Sequence, residues 1–166
     1  TSPILTEKDG VYRFYSRVGK PLYGEYDRAI PFAFSRAVVG NGDTLSVISP
    51  KGERLHSGSY KDIRIISDTL MAIQDSVGLW SLSNMQGEIL TKKKYEQMGD
   101  FSEGLAPVVL KGKYGYINTA GEEKIAVNMS YSSTPLKDMA FKDGRARTSY
   151  RGKYGMIDGT GRRLVP

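Results

Sequence analysis

The side chains best suited to chemistry are basic and lie late in the chain. Arg145, Arg147 and Arg151 fall at even separations, and Lys153 follows just past the next turn. Residues two apart on an extended strand share a face, so the three arginines are expected to stand together, opposite Ala146, Thr148 and Tyr150. From Phe141 onward there are seven basic and two acidic side chains. Such a face either keeps one end of a β array solvated or docks a partner of opposite charge. That partner could be an acidic protein, a polysaccharide, a lipid headgroup or a nucleic acid bound without base specificity. Arg145, Arg147, Arg151 and Lys153 are the candidate binding set.

Catalytic constellations are sparse. His56 is the only histidine, in ERLHSGSY. A Ser-His-Asp site needs that ring oriented by a carboxylate toward a serine, and no nucleophile-elbow motif accompanies it. A surface or turn role is expected for it. Asp100, Glu103, Asp138 and Asp143, flanking Phe101 and Phe141, form the acidic cluster that an enzyme would have to use. Equivalent places earlier in the chain hold Ile30, Pro31 and Asp68, which argues against a shared catalytic role.

Metal and phosphate sites fare no better. One histidine and no cysteine leave only hard oxygen ligands. The segments Asp158-Gly-Thr-Gly161 and Asn118-Thr-Ala-Gly121 lack the alternating acids of a calcium loop. Gly159 and Gly161 are followed by no helix whose amides could cradle a phosphate. No catalytic residue, metal or cofactor is expected.

The elements that must position these residues repeat along the chain. FSEGLAPVVLKGKYGYINTAGEE, from Phe101, aligns without a gap with FKDGRARTSYRGKYGMIDGTGRR, from Phe141. Counting back from their shared glycines, Gly121 and Gly161, finds weaker copies ending at Gly87, Gly52 and Gly19. Three residues before each stand Ser16, Ser49, Asn84, Asn118 and Asp158. That pairing is what a type I turn closed by a left-handed glycine prefers.

The strand entering each turn alternates. Seven residues before the glycine are Tyr12, Leu45, Trp80, Tyr114 and Tyr154; five before are Phe14, Val47, Leu82, Tyr116 and Met156. Between them lie the small or polar Arg13, Ser46, Ser81, Gly115 and Gly155. Period two predicts a strand packed on one face. Ile4, Ala37, Ala72, Ala106 and Ala146 share a further column, expected where space is tight. Tyr26, Tyr60, Tyr95 and Tyr131 sit one in each connection, expected as fillers between repeats, while Lys92, Lys93 and Lys94 are expected to keep an edge soluble.

The pattern F-S-E-G-L-A-P-V…G-K-Y-G-Y-I-N-T-A-G resembles the bacterial WG-repeat family (WG containing repeat, or KWG), whose units carry a Trp-Gly or Tyr-Gly pair before a hairpin. Here the pair stands as Tyr114–Gly115 and Tyr154–Gly155; Trp80–Ser81 keeps the tryptophan alone, and Leu45–Ser46 and Tyr12–Arg13 depart further. The resemblance implies an exported or cell-envelope protein, with no catalytic motif belonging to the repeat itself.

The expected fold is all-β: five tandem antiparallel meanders of about 34 residues in one domain, stacked so that neighbours complete a shared core. The units run over residues 1–25, 26–59, 60–94, 95–130 and 131–166. An open twisted solenoid is the first expectation and a small closed propeller-like array the second. With 166 residues, 39% hydrophobic, and a net charge of +6, the chain can bury a core. It has no cysteine for a disulfide and no apolar run of about 18 residues that would span a membrane. It opens at Thr1 without a signal-like segment, as expected of a processed product or an excised piece. The function these features favour is a non-catalytic binding or scaffold module. The rivals are a hydrolase-like enzyme with an acidic cleft and a spacer in a larger envelope protein.

Overall fold

Each repeat is pinned at its hairpin. In the computed structural model, which describes residues 2–150 and 153–164, Gly19, Gly52, Gly87, Gly121 and Gly161 all take φ between 79° and 85°. Each donates its N–H to the carbonyl three residues back, at 2.9–3.1 Å. That residue's own N–H is received by the carbonyl just past the glycine, at 2.8–3.0 Å. The polar side chain three residues back adds a second lock. Asn118 Oδ1, for instance, accepts the N–H groups of Ala120 and Glu122.

Between these turns the chain forms five sheets. The first holds β1 (Ile4–Lys8), β2 (Val11–Tyr15) and β3 (Pro21–Tyr26). The second holds β4 (Arg28–Ala33), β5 (Arg36–Asn41), β6 (Thr44–Ile48) and β7 (Arg54–Gly58). The third holds β8 (Asp62–Ile65), β9 (Leu70–Gln74) and β10 (Trp80–Asn84). The fourth holds β11 (Gln97–Met98), β12 (Leu105–Leu110), β13 (Lys113–Asn118) and β14 (Glu123–Ser130). The fifth holds β15 (Arg145–Tyr150), β16 (Lys153–Asp158) and β17 (Arg163–Leu164). Strands adjacent in sequence are adjacent in every sheet. The fold is all-β, and a 3-10 turn at Leu136–Met139 is the one helical piece among the described residues.

Two sheets carry a fourth strand that the meander reading did not expect. In the second sheet, β4 turns into β5 through Phe34 and Ser35, both at positive φ. The same two-residue geometry recurs at Glu103–Gly104 and Asp143–Gly144. Paired left-handed residues match the twist of flanking strands, so the Glu-Gly and Asp-Gly pairs are a second hairpin signal in the repeat.

The chain divides into two compact units, Thr1–Gly78 with Leu82–Ile89, and Leu79–Ser81 with Leu90–Pro166. In the first unit, the second sheet is packed on both faces. Leu45, Val47 and Val38 meet Ile63, Met71 and Ile73 on one side. Ala37, Val39 and Ile48 meet Phe14 on the other, and Phe32 packs edge-on against Phe14 at 5.4 Å. In the second unit, Tyr114, Tyr116 and Ile125 of the fourth sheet pack with Phe141, Ala146 and Ile157.

This corrects the one-faced strand read from period two. Ser46, Ser81 and Gly115 are small because they are covered. At Gly115 the cause is close backbone: a Cβ there would lie 2.4 Å from the Ile125 carbonyl oxygen. Here β14 bulges, since Tyr114 and Tyr116 pair with Met129 and Ile125. The glycine of the Tyr–Gly pair gives that bulge room. A further buried column went unread: Ile48, Ile117 and Ile157, four residues before the turn glycine, lie in register with Ala37, Ala106 and Ala146. Ile4 departs from its alanine column and is 51% exposed.

Candidate functional site

The fifth sheet carries the basic residues. Cross-strand partners share a face of a sheet and chain neighbours alternate. The β15–β16 register pairs Arg145 with Asp158, Arg147 with Met156 and Ser149 with Tyr154. These six therefore make one face, and Arg145, Arg147 and Tyr154 are exposed on it. The opposite face holds Ala146, Thr148 and Ile157, all buried. Lys153 pairs with Tyr150, which puts it on that opposite face. Lys153 therefore does not share a face with Arg145 and Arg147. Arg151 lies outside the described residues.

Tyr154 changes the character of this face. The residue is 76% exposed, whereas Tyr114, at the same place in the previous repeat, is 3% exposed. The Tyr114 hydroxyl lies 2.6 Å from Thr148 Oγ1, and Tyr116 donates to the Met139 carbonyl at 2.6 Å. Burial holds the Tyr116 phenol well above its ordinary range, so it stays a donor. The reading of these aromatics as core therefore holds for Tyr114 and Tyr116 and fails for Tyr154. The Arg147 guanidinium stands 6.0 Å from the centre of the Tyr154 ring, within reach of a cation–π contact.

Beside this face opens a basin of about 1030 Å³. Arg145, Arg147 and Met156 line it, with Lys137 and Lys142 as further cations and Glu103, Asp138 and Asp143 as carboxylates. Most of the acidic cluster picked out in the sequence is thus gathered, but among cations. Glu103 is committed to structure, accepting the Gly144 N–H at 2.8 Å. Among the described residues, no group of three or more His, Asp or Glu is placed to hold a metal ion.

His56 is not a turn residue. It lies in β7, half-buried, with its ring stacked on Tyr60 and Nε2 2.7 Å from the Tyr60 hydroxyl. It lies over Gly87, where a Cβ would come within 2.4 Å of the ring. Burial lowers its pKa below the ordinary histidine value. Lys92, Lys93 and Lys94 are all exposed, and Lys93 pairs with Glu123 at 3.1 Å. Burial alone would raise the Glu123 carboxyl, but hydrogen bonds from Tyr95 and Lys93 outweigh it and the net direction is down.

No helix among the described residues is long and apolar enough to cross a membrane. By its sheets the protein is an all-β fold of repeated antiparallel sheets. Kluyveromyces lactis Hsv2p is similar at TM-score 0.57 and 12% identity, over 99% of this chain and 59% of its own. BamB from Moraxella catarrhalis is similar at TM-score 0.53 and 11% identity, over 98% and 56%. The WD40 β-propeller domain of Doa1 aligns at TM-score 0.45 and 12% identity, over 94% and 64%. This chain spans less than two thirds of each of these structures. The first two likenesses show fold alone. The family model described as WG containing repeat matches residues 80–114, from Trp80 to Tyr114, so the chain carries a WG repeat. No curated protein sequence matches it.

Proposed function

We propose that the protein is a non-catalytic binding module that docks an acidic macromolecule on the exposed face of its fifth sheet. The observation that carries this is the pairing of Arg145 and Arg147 on one face of β15, both exposed beside the open basin. Arg145 and Arg147, with Cα atoms about 7 Å apart along the strand, offer two guanidinium forks for carboxylates or phosphates. The carboxylates nearby favour binding over catalysis, since Glu103 is held by a backbone amide and cations stand among the others. A β-repeat fold supplies the scaffold, and the cell-envelope setting implied by the family resemblance is where we place it.

The test is binding to soluble polyanions, polyglutamate and polygalacturonate, at low and high salt. Arg145→Ser/Arg147→Ser should lose binding, as should the unaltered chain at high salt. Lys153→Ser, on the other face, should keep most of it. Undiminished binding by the arginine variant would sink the proposal.

A further inference from the structure

The face that carries the arginines also carries Tyr154, the one tyrosine among the described residues that the fold leaves exposed. Tyr154 repeats Tyr114, yet its ring is open to solvent where Tyr114 is sealed beneath the fifth sheet. It is flanked by Arg147 at 6.0 Å and by its cross-strand partner Ser149. A cleft of about 20 Å³ beside it, with room for one water molecule, is lined by the hydroxyl residues Ser130, Ser132, Thr134 and Ser149. An open aromatic ring, paired guanidiniums and a row of hydroxyls are three different recognition chemistries on one surface.

We infer that Arg145, Arg147 and Tyr154 form a binding site for an acidic polysaccharide of the uronate type. This rests on the docking reading above and names its partner's chemistry. A pyranose ring has an apolar face of C–H bonds that lies flat on an aromatic ring, while its edge is polar. Tyr154 supplies that platform. Each uronate carboxylate can take a bidentate pair of hydrogen bonds from Arg145 or Arg147. A water held in the serine and threonine cleft can bridge to a sugar hydroxyl, and the Asp138 and Asp143 carboxylates of the basin can accept hydrogen bonds from sugar hydroxyls directly.

An acidic peptide would use the arginines but leave the platform and the hydroxyls idle. A single-stranded nucleic acid could stack on Tyr154, but its phosphates need a continuously positive track. The basin instead sets Glu103, Asp138 and Asp143 among its cations. Only a ligand that is both hydroxyl-rich and carboxylated uses the whole surface.

The experiment is calorimetric titration of the full chain at low salt with polygalacturonate, polyglutamate and single-stranded DNA at matched charge, and with neutral dextran, which should not bind, at matched sugar concentration. Tyr154→Ala should weaken polygalacturonate binding at least tenfold and change polyglutamate binding less than twofold. Tyr154→Phe, which keeps the ring, should bind polygalacturonate as the unaltered chain does. An unchanged circular dichroism spectrum verifies that Tyr154→Ala is folded. Equal binding of polygalacturonate by Tyr154→Ala and the unaltered chain overturns the inference, as does DNA or polyglutamate binding as tightly as polygalacturonate. A dimer of the unaltered chain in sedimentation velocity that Tyr154→Ala abolishes overturns it too. In each of those cases loss of binding in Arg145→Ser/Arg147→Ser still supports docking of an acidic partner; retention there removes both.

Discussion

The hydroxyls of Tyr114 and Thr148 lie 2.6 Å apart and tie the fourth sheet to the fifth. Both are buried, so each satisfies the other where water is excluded. Tyr154 stands where Tyr114 stands one repeat earlier and is exposed. One sequence position therefore has two roles, a seal between sheets and an open ring.

That difference predicts opposite responses to the same substitution. Tyr114→Ala should cost about 3–5 kcal/mol as a lost core aromatic, while Tyr154→Ala should stay within about 0.5 kcal/mol as a surface change. Tyr114→Phe, losing the hydrogen bond alone, should cost about 1 kcal/mol. Urea unfolding of the three variants checks the set, and equal losses for the two alanine variants would contradict the packing.

Gly115 should be intolerant of any side chain. A Cβ would lie 2.4 Å from the Ile125 carbonyl oxygen and 2.7 Å from the Ala126 carbonyl, so β14 would have to move. Gly115→Ala is expected to cost about 1–3 kcal/mol as overpacking. Gly155→Ala is the control, since its nearest contact would be Thr148 at 3.6 Å. A Gly115→Ala variant as stable as the Gly155→Ala control would remove the bulge as the reason for the Tyr–Gly pair.

Asn118, half-buried, should matter through the turn that it holds. Its carboxamide oxygen receives two backbone N–H groups of the hairpin, much as a capping residue does. Asn118→Ala should lose about 1 kcal/mol and Asn118→Asp almost nothing, because a carboxylate accepts the same bonds. Thermal melts at neutral pH would read the order.

Stability should fall in mild acid through His56. Burial lowers its folded pKa below the ordinary 6.5, so the unfolded chain takes up the proton first. The contribution is present above pH 6.5 and is lost as pH falls from there through the lower folded value. Unfolding free energy measured between pH 8 and pH 5 should decline more in the unaltered chain than in His56→Gln. Parallel curves would show that the ring titrates alike in both states.

The turns were readable because they are local. A polar residue followed three places later by glycine satisfies its own hydrogen bonds, so Asn118 and Gly121 specify their hairpin wherever the chain lies. The WG resemblance and the all-β repeat were legible for the same reason, and so was the shared face of Arg145 and Arg147. The side chains on which each repeat's aromatics would pack were not legible from within the repeat. Period two describes alternation but not what covers each side, so Ser46 and Gly115 looked solvent-facing when they are enclosed.

What the sequence determined by itself is the repeating unit: its turn, its strands and the residues alternating along them. Tertiary structure alone decided which faces are sealed. It separated Lys153 from Arg145 and Arg147, set His56 over Gly87, and buried Tyr114 while leaving Tyr154 open. Burial depends on the neighbour that a sheet meets, and identical residues in successive repeats meet different neighbours.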